Sequence, residues 1–398
     1  MSRPLLVATC LLAAALAGAV TLVVVRRSGG ERELEPSIAA RATPSGVAWV
    51  TAFMQVERGA SAAASLGVRA STERATLDVR APGGRYSADP TIALEAGGAA
   101  RLTWLAFRTN RDGDAHDMVV LTARRAEGDL AFGAPRELLE AHGGTEYDRP
   151  TSALTGDDRL LVAVRTAAAG RAAIELLRAD GGPPVRRVLA EGAGFLGGLP
   201  ALCVGTRAHV AWFDPIAGVR TVAVSVDDLA PGPVRAVSRD GEDVALEAPL
   251  CAARGDEVWL AYGVSALPLD TGASAAMSSL VLVHSSDGGA TFDRRVTVAD
   301  DGNVLVHPQL AWEDDGVSVV AYAAPLVSGA AALRHLRVGR DGKVDAHTLR
   351  APLELSRKRA DPGWIGDYFG LTGAGGALFV AFGDNAGHPP RVEITRVR

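Results

Sequence analysis

A chain of 398 residues is long enough for one large domain or two ordinary ones, and 48% apolar with 22% charged residues excludes general disorder. Forty-one lysines and arginines against 46 aspartates and glutamates give a net charge of -5, which leaves no basic surplus to neutralise phosphates and excludes nucleic acid as an expected partner.

The N-terminus differs from everything after it. Pro4 to Val25 carries no charge and is bracketed by Arg3 and by Arg26-Arg27. About 20 apolar residues cross a bilayer, so residues 1–27 read as a signal anchor or transmembrane helix, with the membrane as a partner through residues 4–25. Ala15-Leu16-Ala17 offers a cleavage site for the alternative, a removed signal peptide. The run continues through Thr21-Leu22-Val23-Val24-Val25, past an ordinary signal core, which favours the uncleaved anchor. Cys10 has too little apolar sequence ahead of it for a lipoprotein site. Either reading exports the remainder, and long domains translocate regardless of the flanking arginines. Residues 28–35 read as a linker.

From there a pair of short strands recurs. Its second member reads Gly46-Val47-Ala48-Trp49-Val50-Thr51-Ala52-Phe53, then Leu102-Thr103-Trp104-Leu105-Ala106-Phe107, Leu160-Leu161-Val162-Ala163-Val164 and His209-Val210-Ala211-Trp212-Phe213. Val258-Trp259-Leu260-Ala261-Tyr262, Val317-Ser318-Val319-Val320-Ala321-Tyr322 and Leu378-Phe379-Val380-Ala381-Phe382 complete the series. These segments are β-branched, aromatic and bounded by Gly or Asp turns, which is strand chemistry. Pro36, Pro90, Pro150, Pro200, Pro249 and Pro308 precede six copies, where they suit the first residue of a strand, and Gly366-Asp367-Tyr368 takes that place in the last. A period of 50–60 residues marks a repeat architecture. Seven repeats are expected, with six and an N-terminal extension as the alternative.

After each pair come a third strand and a turn rich in Asp and Gly. The sharpest is Ser285-Ser286-Asp287-Gly288-Gly289-Ala290-Thr291-Phe292, with looser copies at Glu127 to Phe132, Asp180-Gly181-Gly182 and Asp341-Gly342. Ser and Asp bond backbone groups inside such a turn, while Gly accepts positive φ. Cys203 and Cys251 fall early in their repeats. They are expected as buried small residues, with a bridge between neighbouring blades as the lesser reading. No Cys/His spacing suggests zinc, and neither a metal nor a cofactor is expected. Gly192-Ala193-Gly194-Phe195-Leu196-Gly197 enters a strand instead of leaving one for a helix, so it is not a dinucleotide motif. Asp112, Asp114 and Asp117 read as a solvated hairpin tip.

The S-x-D-x-G-x-T-F turn, with Ser285, Asp287, Gly289, Thr291 and Phe292 at its defining positions, matches the Asp-box of the sialidase-like, BNR-repeat propellers. The C-terminal block Trp364 to Leu371 followed by Phe379 to Asn385 resembles that group as well. The resemblance covers residues 36–398 and implies an all-β propeller of four-stranded antiparallel blades around an axis, with a structural Asp-box on one face and substrate on the other. Loops on that second face carry Asp89, Tyr147, Asp148, Arg149, His307, Asp367 and Tyr368 before strand one. Arg108, Arg165, Asp214, Tyr262, Tyr322, Asp384 and Asn385 follow strand two. Guanidinium forks suit carboxylates and aromatic faces suit sugars, so a carbohydrate or protein ligand is expected there.

Sialidase activity, by the same resemblance, calls for three gripping arginines, a tyrosine nucleophile with a glutamate, an aspartate acid/base and an Arg-Ile-Pro motif. That motif is absent, and Arg108, Arg149 and Arg165 come from neighbouring repeats. The expectation is a non-catalytic binding or scaffold module at the cell envelope. An exo-acting glycoside hydrolase of sialidase type is the alternative.

Overall fold

The computed structural model describes residues 32–397 apart from short internal stretches, the longest being 265–276 and 354–365. The expected anchor, Cys10, Trp364, Ile365 and most of the 192–197 glycine segment lie outside the described residues. Among those described, no helix is long and apolar enough to cross a membrane.

Seven antiparallel sheets follow one another along the chain as blades, spanning 32–79, 86–139, 146–193, 201–236, 250–298, 303–353 and 370–397. Six have four strands in sequence order, and the seventh has three among the described residues. The first strand begins at Arg32, so residues 32–35, read above as linker, already belong to blade 1. Innermost strands of successive blades touch around the axis, and that of blade 7 returns to that of blade 1.

The second strand of each blade is sandwiched between neighbouring blades, which is why it reads as a continuous apolar run. Leu160, Leu161, Val162, Ala163 and Val164 are all buried, as are Trp104, Trp212 and Trp259 at matching places in other blades. One apolar cluster fills each of the seven seams. Ile38, Phe53, Ala377, Phe379, Ala381 and Val392 form the one that closes the ring, the smallest among the described residues.

The closing seam carries a polar clasp in compensation. Glu33, fully buried on blade 1, accepts the Val392 N–H of blade 7 at 2.9 Å and pairs with Arg69. Arg69 donates in turn to the Val392 carbonyl at 3.0 Å and lies 4.6 Å over the Phe53 ring. The Glu33 N–H reaches Pro390 O at 3.0 Å. Between blades 4 and 5 the seam is covalent: Cys203 and Cys251 form a disulfide, which corrects the expectation of two buried thiols. Their innermost strands run side by side with Cα atoms 5.5 Å apart, within bridging range.

The prolines divide into two groups. Pro200 and Pro249 stand immediately before their strands as expected. Pro36, Pro90, Pro150 and Pro308 sit inside longer strands, each where the pairing register shifts. A bulge leaves its extra residue outside the ladder, so a missing N–H costs nothing there.

Replacing Glu33 with Ala leaves Arg69 and the Val392 amide without their carboxylate inside the seam. Urea unfolding of Glu33→Ala is expected to show a loss of about 2–3 kcal/mol, and an unchanged midpoint would refute the clasp.

Candidate functional site

The four strand-interrupting prolines share a second feature. The residue before each has positive φ: Glu35 at 52°, Asp89 at 51°, Arg149 at 33° and His307 at 50°. Non-glycine residues enter this region at a cost of about 1–2 kcal/mol each, and such strain gathers where a side chain must be aimed. All four lie on innermost strands of blades 1, 2, 3 and 6, on the side away from the Asp-box. Blade 7 places Gly366 at the same point, with φ of 98°. A Cβ there would strike Glu35.

These residues converge at the mouth of the ring. Tyr368, 6% exposed, reaches back from blade 7 so that its hydroxyl meets Asp89 Oδ1 at 3.3 Å. The Arg149 guanidinium lies 4.2 Å over its ring centroid. The Asp367 N–H, one residue earlier, donates to Glu35 Oε1 at 3.3 Å. Burial first, then the Asp89 and Glu35 charges, push the Tyr368 hydroxyl well above the usual phenol range.

Beside this cluster a cavity of about 310 Å³ opens between blades 1, 2 and 3. Arg32, Glu35, Asp89, Glu146, Asp148 and Arg165 supply its charged wall. Met54, Leu105, Phe107 and Met118 supply its apolar wall. Arg165 is 8% exposed and stands 3.9 Å from Asp148. Tyr147 is fixed by a 2.7 Å hydrogen bond to the Glu140 carbonyl, and burial raises its pKa.

Of the residues expected from sequence, Asp89, Tyr147, Asp148, Arg149, Arg165 and Tyr368 therefore share one region, joined by the Asp367 backbone. The others stand elsewhere. Arg108 is exposed and meets Asp117 at 3.4 Å and Gly83 O at 3.1 Å. Asp214 caps its own hairpin through the Ile216 and Ala217 amides. Asp384 pairs with Arg350 at 2.6 Å across the seam of blades 6 and 7, and Asn385 is buried beside it. His307 is on the strained ring but not on the cavity wall. Tyr322 packs edge-on against Phe369 in the core.

Tyr262 does have a carboxylate partner, Glu242 Oε2 at 2.7 Å, which also pairs with Arg295. Tyr262 is 1% exposed within the core of blades 4 and 5, and burial followed by Glu242 raises its pKa. Glu35, Arg32 and Glu146 were not anticipated. The signal for Glu35 was present, a charged residue before a strand proline as in Asp89-Pro90 and Arg149-Pro150.

The Asp-box turn uses its polar groups internally. Asp287 accepts from the Thr291 hydroxyl at 2.7 Å, the Thr291 amide at 2.9 Å and Ser285 at 2.8 Å. These bonds, led by the Thr291 hydroxyl, pull its pKa down to about 2. Ser285 also accepts the Gly289 amide at 2.8 Å, and Phe292 packs against the core of blades 4 and 5.

No family model and no curated protein matches the sequence. Solved structures share the fold. A protein of unknown function from Dyadobacter fermentans matches with TM-score 0.53 and 14% identity, over 94% of this chain and 96% of its own. The Hadza microbial sialidase Hz136 matches with TM-score 0.52 and 11% identity, over 73% of this chain and 63% of its own. An α-L-arabinanase from Penicillium chrysogenum, complexed with arabinobiose, matches with TM-score 0.50 and 15% identity, over 78% of this chain and 93% of its own. The chain thus has the propeller fold found among sialidases and arabinanases.

Strain at the mouth is measurable apart from any ligand. Asp89→Gly and Asp89→Ala lose the same carboxylate, but only alanine keeps a Cβ at positive φ. The glycine variant is expected to be more stable by about 1 kcal/mol in urea unfolding; equal stabilities would show that the backbone there is relaxed.

Proposed function

We propose that the chain is an exported, membrane-tethered propeller that binds a saccharide in the cavity of blades 1 to 3 without cleaving it. The observation that carries this reading is the state of Tyr368. A tyrosine nucleophile requires an accessible hydroxyl with a lowered proton affinity. Tyr368 is buried beneath Arg149 with its proton held more tightly than usual. Arg108, Arg149 and Arg165 take separate partners instead of gripping one carboxylate. The cavity still suits a sugar: its volume accommodates one or two rings, its arginines and carboxylates match hydroxyl groups, and its apolar wall receives a ring face.

Four carboxylates at the cavity, Glu35, Asp89, Glu146 and Asp148, favour a second reading. Glycoside hydrolysis works with two carboxylates flanking the bond, so an exo-acting glycosidase is the alternative.

Titration calorimetry against a saccharide panel, with fluorogenic sialosides and arabinofuranosides assayed in parallel, decides between them. Binding weakened at least about tenfold by Arg165→Gln, with every sugar recovered intact, is expected on the scale of one lost charged hydrogen bond. Turnover abolished by Asp89→Asn would overturn the binding reading.

Export is supported by the Cys203–Cys251 bridge, since disulfides persist in oxidising compartments. In protein taken from cells under alkylating conditions, both cysteines are expected to react only after reduction. Labelling without reductant would place the domain in the cytosol.

A further inference from the structure

The opposite face, which carries the Asp-box, holds a second cavity of about 320 Å³ where blades 5, 6 and 7 meet. Its opening follows from sequence: the blade 7 hairpin Gly373-Ala374-Gly375-Gly376-Ala377 brings almost no side chain into the seam. Gly375 and Gly376 take φ of 57° and 69°, as a tight two-residue hairpin turn requires. A Cβ at Gly373 would strike the Trp312 carbonyl. The backbone is therefore held close to Trp312 while the space above stays empty.

Three polar groups around this space lack ordinary partners. Arg254, exposed on blade 5, has its guanidinium 5.1 Å over the Trp312 ring, and no carboxylate among the described residues pairs with it. Trp312 Nε1 is buried without an acceptor. His335, 4% exposed, lines the cavity with Nδ1 unpartnered. Its other nitrogen is spoken for. Ser318 gives its proton to Glu313 Oε1 at 2.5 Å, so its oxygen accepts from His335 Nε2, 2.7 Å away. His335 Nδ1 is left at the cavity with no partner of its own. Glu313 is itself balanced by Arg337 at 2.8 Å; among the described lining residues Arg254 is the cation without an ion pair, and the exposed Asp345 is the carboxylate without one.

Buried polar groups without partners are rare enough to need an explanation. Here an indole N–H, an imidazole nitrogen and a guanidinium stand around one cavity that is large enough for a sugar ring. We propose that this cavity is a second, separate binding site that takes an acidic sugar unit: its carboxylate on Arg254, a hydroxyl hydrogen-bonded to His335 Nδ1, and a ring oxygen near the Trp312 edge. The exposed His347 ring, 6.2 Å from His335, stands at the rim. The site lies on the face away from the mouth, so the two respond to different substitutions.

Titration of the full-length protein with a glucuronate-containing disaccharide, with cellobiose as the neutral counterpart, tests the assignment. The acidic probe is expected to bind at least tenfold more tightly than cellobiose. Arg254→Gln, exposed and outside any core, is expected to abolish that preference, whereas Lys343→Gln, which removes an exposed charge outside both cavities, leaves it unchanged. Each of the following would overturn the proposal: no binding of the acidic probe at millimolar concentration, equal affinity for both sugars, or a preference that survives Arg254→Gln. Loss of binding in Arg165→Gln alone would move the acidic sugar to the mouth and likewise refute the second site.

Discussion

Everything in this molecule depends on closing the ring. A propeller holds its shape only if the last blade is joined to the first. Here blade 1 draws all four of its strands from 32–79, and blade 7 draws its three described strands from 370–397. No strand is exchanged among the described residues, so side chains, with a backbone hydrogen bond from the Glu33 N–H to Pro390 O, make the junction. The apolar cluster there is the smallest of the seven, and Glu33 supplies what it lacks. A buried carboxylate is costly unless its oxygens are occupied, and Arg69 with the Val392 amide occupies both. The same bonds cross the seam, so satisfying Glu33 and closing the ring are one event.

The mouth is built directly on this junction. Glu35 follows two residues after Glu33 and receives the Asp367 amide of blade 7. Tyr368 then crosses to Asp89 and Arg149. Four left-handed residues at the mouth store strain of about 1–2 kcal/mol apiece. Seam packing on every blade, with a covalent link between blades 4 and 5, outweighs it. Rigidity made elsewhere is what allows the mouth to hold charged groups in unfavourable backbone geometry.

The two faces differ in how they spend polar groups. On the Asp-box face, Ser285, Asp287 and Thr291 consume one another's hydrogen bonds within a single turn. At the mouth, partners come from different blades, so removing one side chain disturbs three strands. Near the axis on the Asp-box face, the glycine-rich hairpin of blade 7 leaves the exception, with Arg254, Trp312 and His335 around unfilled space.

Local pattern made the blades legible. Apolar runs such as Leu160 to Val164 are continuous because both faces of that strand are covered, and turn chemistry at Ser285 to Phe292 depends on neighbours a few residues apart. The strands, their order and the repeat were therefore determined by sequence alone. The site was legible only in part, since Asp89, Arg149 and Tyr368 were visible as loop polarity but Glu35 was hidden in an apparent linker. Tertiary structure alone decided that Tyr368 is sealed, that Arg108 turns away, that Cys203 meets Cys251, and that Glu33 closes the ring. Each of these joins residues 48 or more positions apart, or depends on which face a bulge presents, and local spacing carries no record of either.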